Sequence, residues 1–214
     1  MSESTIQPAE TARNIGVTFD SHHTLKKHIS TTCQSIYHYL RKIGYIRPYL
    51  SKSTCQKLVQ ALISSKLDNG NALLYGLPND HIKPLQHVQN AAAKIIMRAR
   101  KYDHVTPLLK ELHWLPVQDR IKFKLLLMTY KSLNGLAPRY LSDLLHWKTA
   151  TRTLRSTNKH LLYVPKYKLE SYGGRSFSSA APRLWNELPI EIREQVTIST
   201  FKKHLKTYLF SKTF

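Results

Sequence analysis

Acidic residues are scarce in this chain. Only 13 Asp and Glu stand against 33 Lys and Arg, a formal net charge of +20. No two acids are adjacent, and the six aspartates (Asp20, Asp68, Asp80, Asp103, Asp119 and Asp143) are dispersed among basic or apolar neighbours. A two-metal polymerase centre needs closely grouped carboxylates, commonly an adjacent Asp pair, so no metal site is built from these. Cysteine is scarce too. Cys33 and Cys55 are the only two, each falls on a helical apolar stripe, and both read as small core hydrophobes. No paired Cys or His spacing of the zinc-binding kind occurs. Apolar runs approaching the ~20 residues of a membrane span are missing. The polar stretch from Met1 to Arg13 lacks the apolar core of a signal peptide, so an intracellular protein, nuclear or cytoplasmic and not secreted, is expected. There is no phosphate-binding P-loop, no dinucleotide fingerprint and no His-Glu-x-x-His. Asp103-His104 reads as a turn or cap rather than an acid–base pair. Ser178 and Ser179 with a distant His form no nucleophile arrangement.

What is present is enough apolar material to fold. Hydrophobic residues make up 42% of 214 residues, which excludes wholesale disorder and allows one large or two small domains. The charge excess points to polyanionic partners, nucleic acid before an anionic membrane surface.

Periodicity predicts a mainly α fold. Ile15, Val17 and Phe19 alternate with Gly16 and Thr18, as in a short strand or hairpin. Residues 24–46 carry Leu25, Ile29, Cys33, Ile36, Leu40 and Ile43 on one helical face. A second helix follows Ser51, with Cys55, Leu58, Val59, Leu62 and Ile63 inward. A third opens at Asn79 and Asp80, either of which suits an N-cap. Its apolar stripe is Leu85, Val88, Ala92, Ile95, Ile96 and Ala99. Lys94, Arg98 and Lys101 recur at i, i+4 and i+7 and are expected on a different face of that helix, which an ordinary solvated surface would also explain. Residues 117–134 are the most apolar helix, with Arg120, Lys124 and Lys131 along one edge, stopped by Asn134-Gly135. Short helices are expected after Pro138, around Trp185 and after Pro189, and a last one from about Ser199.

Two long runs contain no acid at all: Ser21 to Leu67 and His146 to Leu169. Solvated helices usually mix signs because i,i+4 ion pairs stabilise them. The first run forgoes that help while carrying Lys26, Lys27, Arg41, Lys42, Arg47, Lys52, Lys57 and Lys66, interleaved with Tyr37, Tyr39, Tyr45 and Tyr49. The second is rich in Thr and Ser around Arg152 and Arg155. It reads either as a phosphate-contacting loop or as a plain surface linker, with a strand expected at Leu161–Val164.

An ordered set of segments spans nearly the whole chain: NIGVTFD at 14–20, LLYGLP at 73–78, VQNAA at 88–92, KYDHVTPLLKELHWLPV at 101–117, YKSLNGLAP at 130–138, LRS at 154–156, AAPRLWNELP at 180–189 and FKKHLKTYLF at 201–210. Each is weak alone. In this order they resemble the thumb and post-thumb part of reverse transcriptases from non-LTR, LINE-type, jockey-like retrotransposons. One departure is Asn69-Gly70, where relatives usually show a Tyr-Cys pair before the asparagine. The resemblance implies that residues 1–20 are the hairpin remnant that follows a polymerase palm and holds the primer end. It implies a thumb-like helical bundle over 21–145, a basic linker over 146–174 and a small helical subdomain over 175–214. The palm, with its Mg, would lie upstream, so no cofactor is expected in this chain and enzymatic activity from it alone is not. A thumb grips the template–primer duplex by its phosphates without reading sequence. The cations expected to do so are Lys94, Arg98, Lys101, Arg120, Lys124, Arg152, Arg155 and Arg175, with RNA, DNA or their hybrid as partner. Two other readings stay open. A detached thumb would expose the surface that met the palm, favouring self-association or a protein partner. Alternatively, Met1 falls within the family's domain, as in a relic of a mobile element.

Overall fold

The computed structural model describes residues 9–148 and 160–214. The fold is mainly α, with ten α-helices and one two-stranded antiparallel sheet among the described residues. Two compact units partition it: residues 1–70 with 77–105, and residues 71–76 with 106–214. Residues 21–145 thus contribute to both.

The first unit opens with β1 (Thr11–Asn14) and β2 (Val17–Asp20), paired so that Asn14 faces Val17. The loop between them is therefore only Ile15-Gly16. Both residues have positive φ, 46° and 82°, as a two-residue hairpin turn requires to match strand twist. This corrects the strand expected through Ile15, whose side chain is 89% exposed in the turn. Alternation misled because turn geometry, not burial, decides that position.

Asp20 joins the hairpin to the first helix. Its carboxylate accepts from the Thr24 N–H at 2.9 Å and the Leu25 N–H at 2.7 Å. Burial pushes its pKa up, but these amide bonds outweigh that and hold it below the ordinary value. The helix α1 (Lys26–Ile46) then buries Ile29, Cys33, Ile36, Leu40 and Ile43, as its periodicity predicts. It packs against α4 (Asn79–Met97), which buries Ile82, Leu85, Val88, Ala92, Ala93 and Ile96. Between them in sequence runs a continuous helical segment: α2 (Lys52–Val59), one widened turn over Gln60–Ser64, and α3 (Ser65–Asp68). Its buried residues, Cys55, Val59, Ile63 and Leu67, recur every four positions. In an ordinary helix that spacing drifts about 40° per step. The widened turn takes up part of the drift and keeps all four inward. Ser51 caps α2, its side chain accepting from the Thr54 N–H at 3.1 Å.

Two expectations for α4 are corrected. Pro78, not Asn79 or Asp80, occupies the position before the helix, without a side-chain cap. The helix also ends at Met97, with Arg98 in a left-handed conformation at φ 52°. Lys94, Arg98 and Lys101 therefore share no helical stripe, and Ala99 lies past the end.

The second unit is built on α6 (Val117–Leu133), which follows the short α5 (Val105–Glu111). Ile121, Leu125, Leu126 and Tyr130 are buried. Asn134 and Gly135 end α6 as expected, Gly135 with φ 67° and the Leu136 N–H bonded to the Lys131 carbonyl at 2.8 Å. After α7 (Arg139–Ser142), the chain reaches α8 (Phe177–Asn186), α9 (Ile190–Arg193) and α10 (Ile198–Thr213). Phe201 of α10 stacks on Tyr130 at 4.2 Å and on Trp185 at 6.0 Å between ring centroids. Each polar ring atom has an acceptor: Tyr130 Oη donates to the Gln195 carbonyl and Trp185 Nε1 to the His160 carbonyl. Buried aromatics with a satisfied polar end contribute both area and orientation.

Part of the segment expected as a linker belongs to this core. Leu162 is buried, and Asn186 brackets it, accepting from its N–H and donating to its carbonyl, both at 2.8 Å. The strand expected at Leu161–Val164 is reduced to a single antiparallel bridge between Trp147 and Leu162.

Two outcomes follow from this packing. Phe201→Ala removes the ring between Tyr130 and Trp185 and should cost about 3–5 kcal/mol in denaturant unfolding read by tryptophan fluorescence. Cys33 and Cys55 are both free and buried. Burial pushes the Cys33 thiol up to about 11 and raises that of Cys55, so neither should react with iodoacetamide at pH 8 until the chain is unfolded in urea.

Candidate nucleic-acid interface

The apolar stripe of α1 leaves its other side to solvent. Lys26, Lys27, Gln34, Tyr37, His38, Arg41, Lys42 and Tyr45 are all exposed, and they occupy one arc of the helix because residues at i, i+4, i+7 and i+11 share a side. No carboxylate interrupts that arc, since α1 contains none. Its far end continues into a short tight turn at Arg47–Tyr49, where Tyr49 is 87% exposed. Charged stems and flat rings alternate there on a rigid 21-residue scaffold.

Arg47 behaves differently from its neighbours. Its guanidinium is buried and donates to three carbonyls. Nε donates to Ile95 at 2.8 Å, Nη2 to Ile96 at 2.7 Å and Nη1 to Leu50 at 2.7 Å. Ile95 and Ile96 lie in the last turn of α4, whose carbonyls carry the negative end of the helix dipole; that of Ile95 also accepts from the Arg98 N–H at 3.3 Å. Arg98 makes the reciprocal contact, Nη2 donating to the carbonyls of Pro48 and Arg47 at 3.2 and 3.3 Å. The C-terminal ends of α1 and α4 are thus locked by two arginines acting as caps.

Six of the eight expected phosphate-binding residues can be placed. Lys94, Arg98 and Lys101 gather at the C-terminal end of α4. Lys94 Nζ donates to the Lys101 carbonyl, and Lys101 Nζ lies 5.4 Å from the Tyr102 ring centroid. Arg98 remains exposed while serving as the cap just described. In the second unit, Lys124 is exposed and Arg120 half-buried on α6. Arg175 is half-buried against the turn at 71–76. Its Nε donates to the Tyr75 carbonyl at 3.1 Å and its Nη2 to the Leu73 carbonyl at 3.4 Å. Gly76, at φ 71°, makes room for this: a Cβ there would stand 2.6 Å from Arg175 Cγ. Arg152 and Arg155 lie outside the described residues.

The α1 cations were legible through the acid-free run but were not among the eight. A second polar feature had no local signal. Arg13, His28, Lys66 and Asn69, far apart in sequence, line one cavity of the first unit. His28 is buried, and burial followed by the positive charge of Arg13 lowers its pKa.

Among the described residues no group of three or more His, Cys, Asp or Glu is placed to hold a metal ion. No helix there is long and apolar enough to cross a membrane. No family model, curated protein or solved structure matches this chain.

The caps generate a stability prediction. Arg47→Met takes the side-chain donor from the Ile96 carbonyl, while Ile95 keeps the Arg98 N–H, and should cost about 1–3 kcal/mol in urea unfolding followed by far-UV circular dichroism. His28 generates a pH dependence. Its folded pKa lies below the unfolded value near 6.5, so the unfolded chain takes up the proton first. Its stabilising contribution is complete above that value and is lost as pH falls below it. His28→Gln should flatten the unfolding free energy between about pH 7 and pH 5.

Proposed function

We propose that this chain is a nucleic-acid-gripping region of the kind found in the thumb of a retrotransposon RNA-directed DNA polymerase, binding template–primer through phosphates. The observation that carries this reading is the outer face of α1: lysine, arginine and tyrosine on a rigid helix, with no acid in it. Phosphate contacts position a duplex without specifying its sequence, and they draw their free energy largely from counterion release. They need cations held at fixed spacing, which a helix supplies. Exposed tyrosines between them add stacking surface for unpaired bases at a duplex end. The ordered segments resembling LINE-type reverse transcriptases support the same reading from sequence. Positive charge also favours encounter with any polyanion before specific docking. Within this reading Lys94, Arg98 and Arg175 serve first as backbone clamps, and Lys101, Lys124 and the α1 cations carry the phosphate contacts.

Binding of the purified chain to an RNA–DNA hybrid across a salt series tests this. The account expects log affinity to fall linearly with log salt. Replacing Lys26, Lys27, Arg41 and Lys42 together by Gln should lower that slope by roughly three to four, near 0.9 per phosphate lost. A folded quadruple variant with an unchanged slope would contradict it.

A further inference from the structure

The first unit contains a cavity of about 410 Å³ between the β1–β2 hairpin, the first turns of α1, and α3 with the residue after it. That volume is near the lower end of the ~300–1,000 Å³ typical of small-ligand sites and suits something nucleotide-sized. Its lining is a set of donors. Arg13 comes from β1, Thr32 and Ser35 from α1, Lys66 from α3, and Asn69 follows it. Lys66 is steadied by the Tyr39 ring, 5.4 Å from its Nζ. His28 adds a ring whose Nδ1 faces the Thr18 N–H at 3.5 Å. In the neutral ring that contact assigns the proton to Nε2, making it a further donor. No carboxylate lines the cavity among the described residues. Gly16 keeps the hairpin close, since a Cβ there would stand 2.9 Å from Asn69 Nδ2.

We infer that this cavity is a binding site for a phosphomonoester: a mononucleotide, or the phosphorylated end of a strand. Two cations from different elements, ringed by hydroxyl and amide donors, match a dianion with three terminal oxygens. A backbone diester carries one charge and must leave the site on both sides, whereas a monoester enters from one. A cation is disfavoured by the absence of lining acids. A neutral ligand would leave the charges of Arg13 and Lys66 in the lining without a counter-charge from it. The inference does not depend on the phosphate-gripping role of the α1 outer face, which the cavity adjoins at Thr31.

Isothermal titration of the full chain tests it with five probes: inorganic phosphate, a nucleoside 5′-monophosphate, the matching nucleoside, and a short single-stranded oligonucleotide with and without a 5′-phosphate. The phosphorylated member of each pair should bind at least about tenfold more tightly, as expected for charge-assisted hydrogen bonds to two cations. The Arg13→Gln/Lys66→Gln double variant should abolish that preference while leaving salt-dependent binding to unphosphorylated duplex in place. Ser35→Ala, a milder change, should reduce the preference without altering the melting curve. Equal gains for phosphate and mononucleotide assign the site to free small phosphates, and a larger gain for the oligonucleotide assigns it to strand ends; either outcome supports the inference. Equal affinity for phosphorylated and unphosphorylated probes, or an undiminished preference in the folded double variant, would overturn it.

Discussion

A chain with 33 basic and 13 acidic side chains cannot neutralise itself with ion pairs, and much of the structure follows from that constraint. Guanidinium groups here pair with main-chain carbonyls, whether buried or exposed. Arg47 takes those at the end of α4, Arg98 those after α1, and Arg175 those of the 71–76 turn. Arg193 takes the Leu188 carbonyl, and Arg183 that of Gly174 beside Glu170. Helix ends and turns offer such carbonyls unpaired, so arginine serves as a cap here. Lysine, with a compact and strongly hydrated charge, stays mostly at the surface. The division leaves α1 with an outer face of one sign.

Much of the fold was legible because burial follows period. The face Leu25, Ile29, Cys33, Ile36, Leu40, Ile43 and the apolar character of α6 read directly from spacing, and the stop at Asn134-Gly135 from its left-handed glycine. Two of the failures share a cause, in that local geometry overrode periodicity. Ile15 continues an alternating pattern yet sits in a two-residue turn. Arg98 continues a helical repeat yet ends the helix. The 146–174 segment has the composition of a linker, yet Leu162 is fixed by a side chain 24 residues away. Composition could not reveal that contact.

Charge balance points to a polyanion partner, and the acid-free run from Ser21 to Leu67 marks the stretch whose cations have no acid near them in sequence. Lys94, Arg98 and Arg175 are spent on carbonyls, and nothing in their spacing distinguishes a capping arginine from a phosphate-binding one. The cavity at Arg13, His28, Lys66 and Asn69 was invisible for another reason: its parts are remote in sequence and meet only through the packing of the hairpin, α1 and α3.

The central claim is that the outer face of α1 is what meets the nucleic acid. Lysine acetylation footprinting, with and without a bound RNA–DNA hybrid at low salt, addresses it most directly. The account predicts protection of Lys26, Lys27 and Lys42 in the complex. If these three stay as reactive as in the free chain while other lysines are protected, the α1 face is not the interface and the account is wrong.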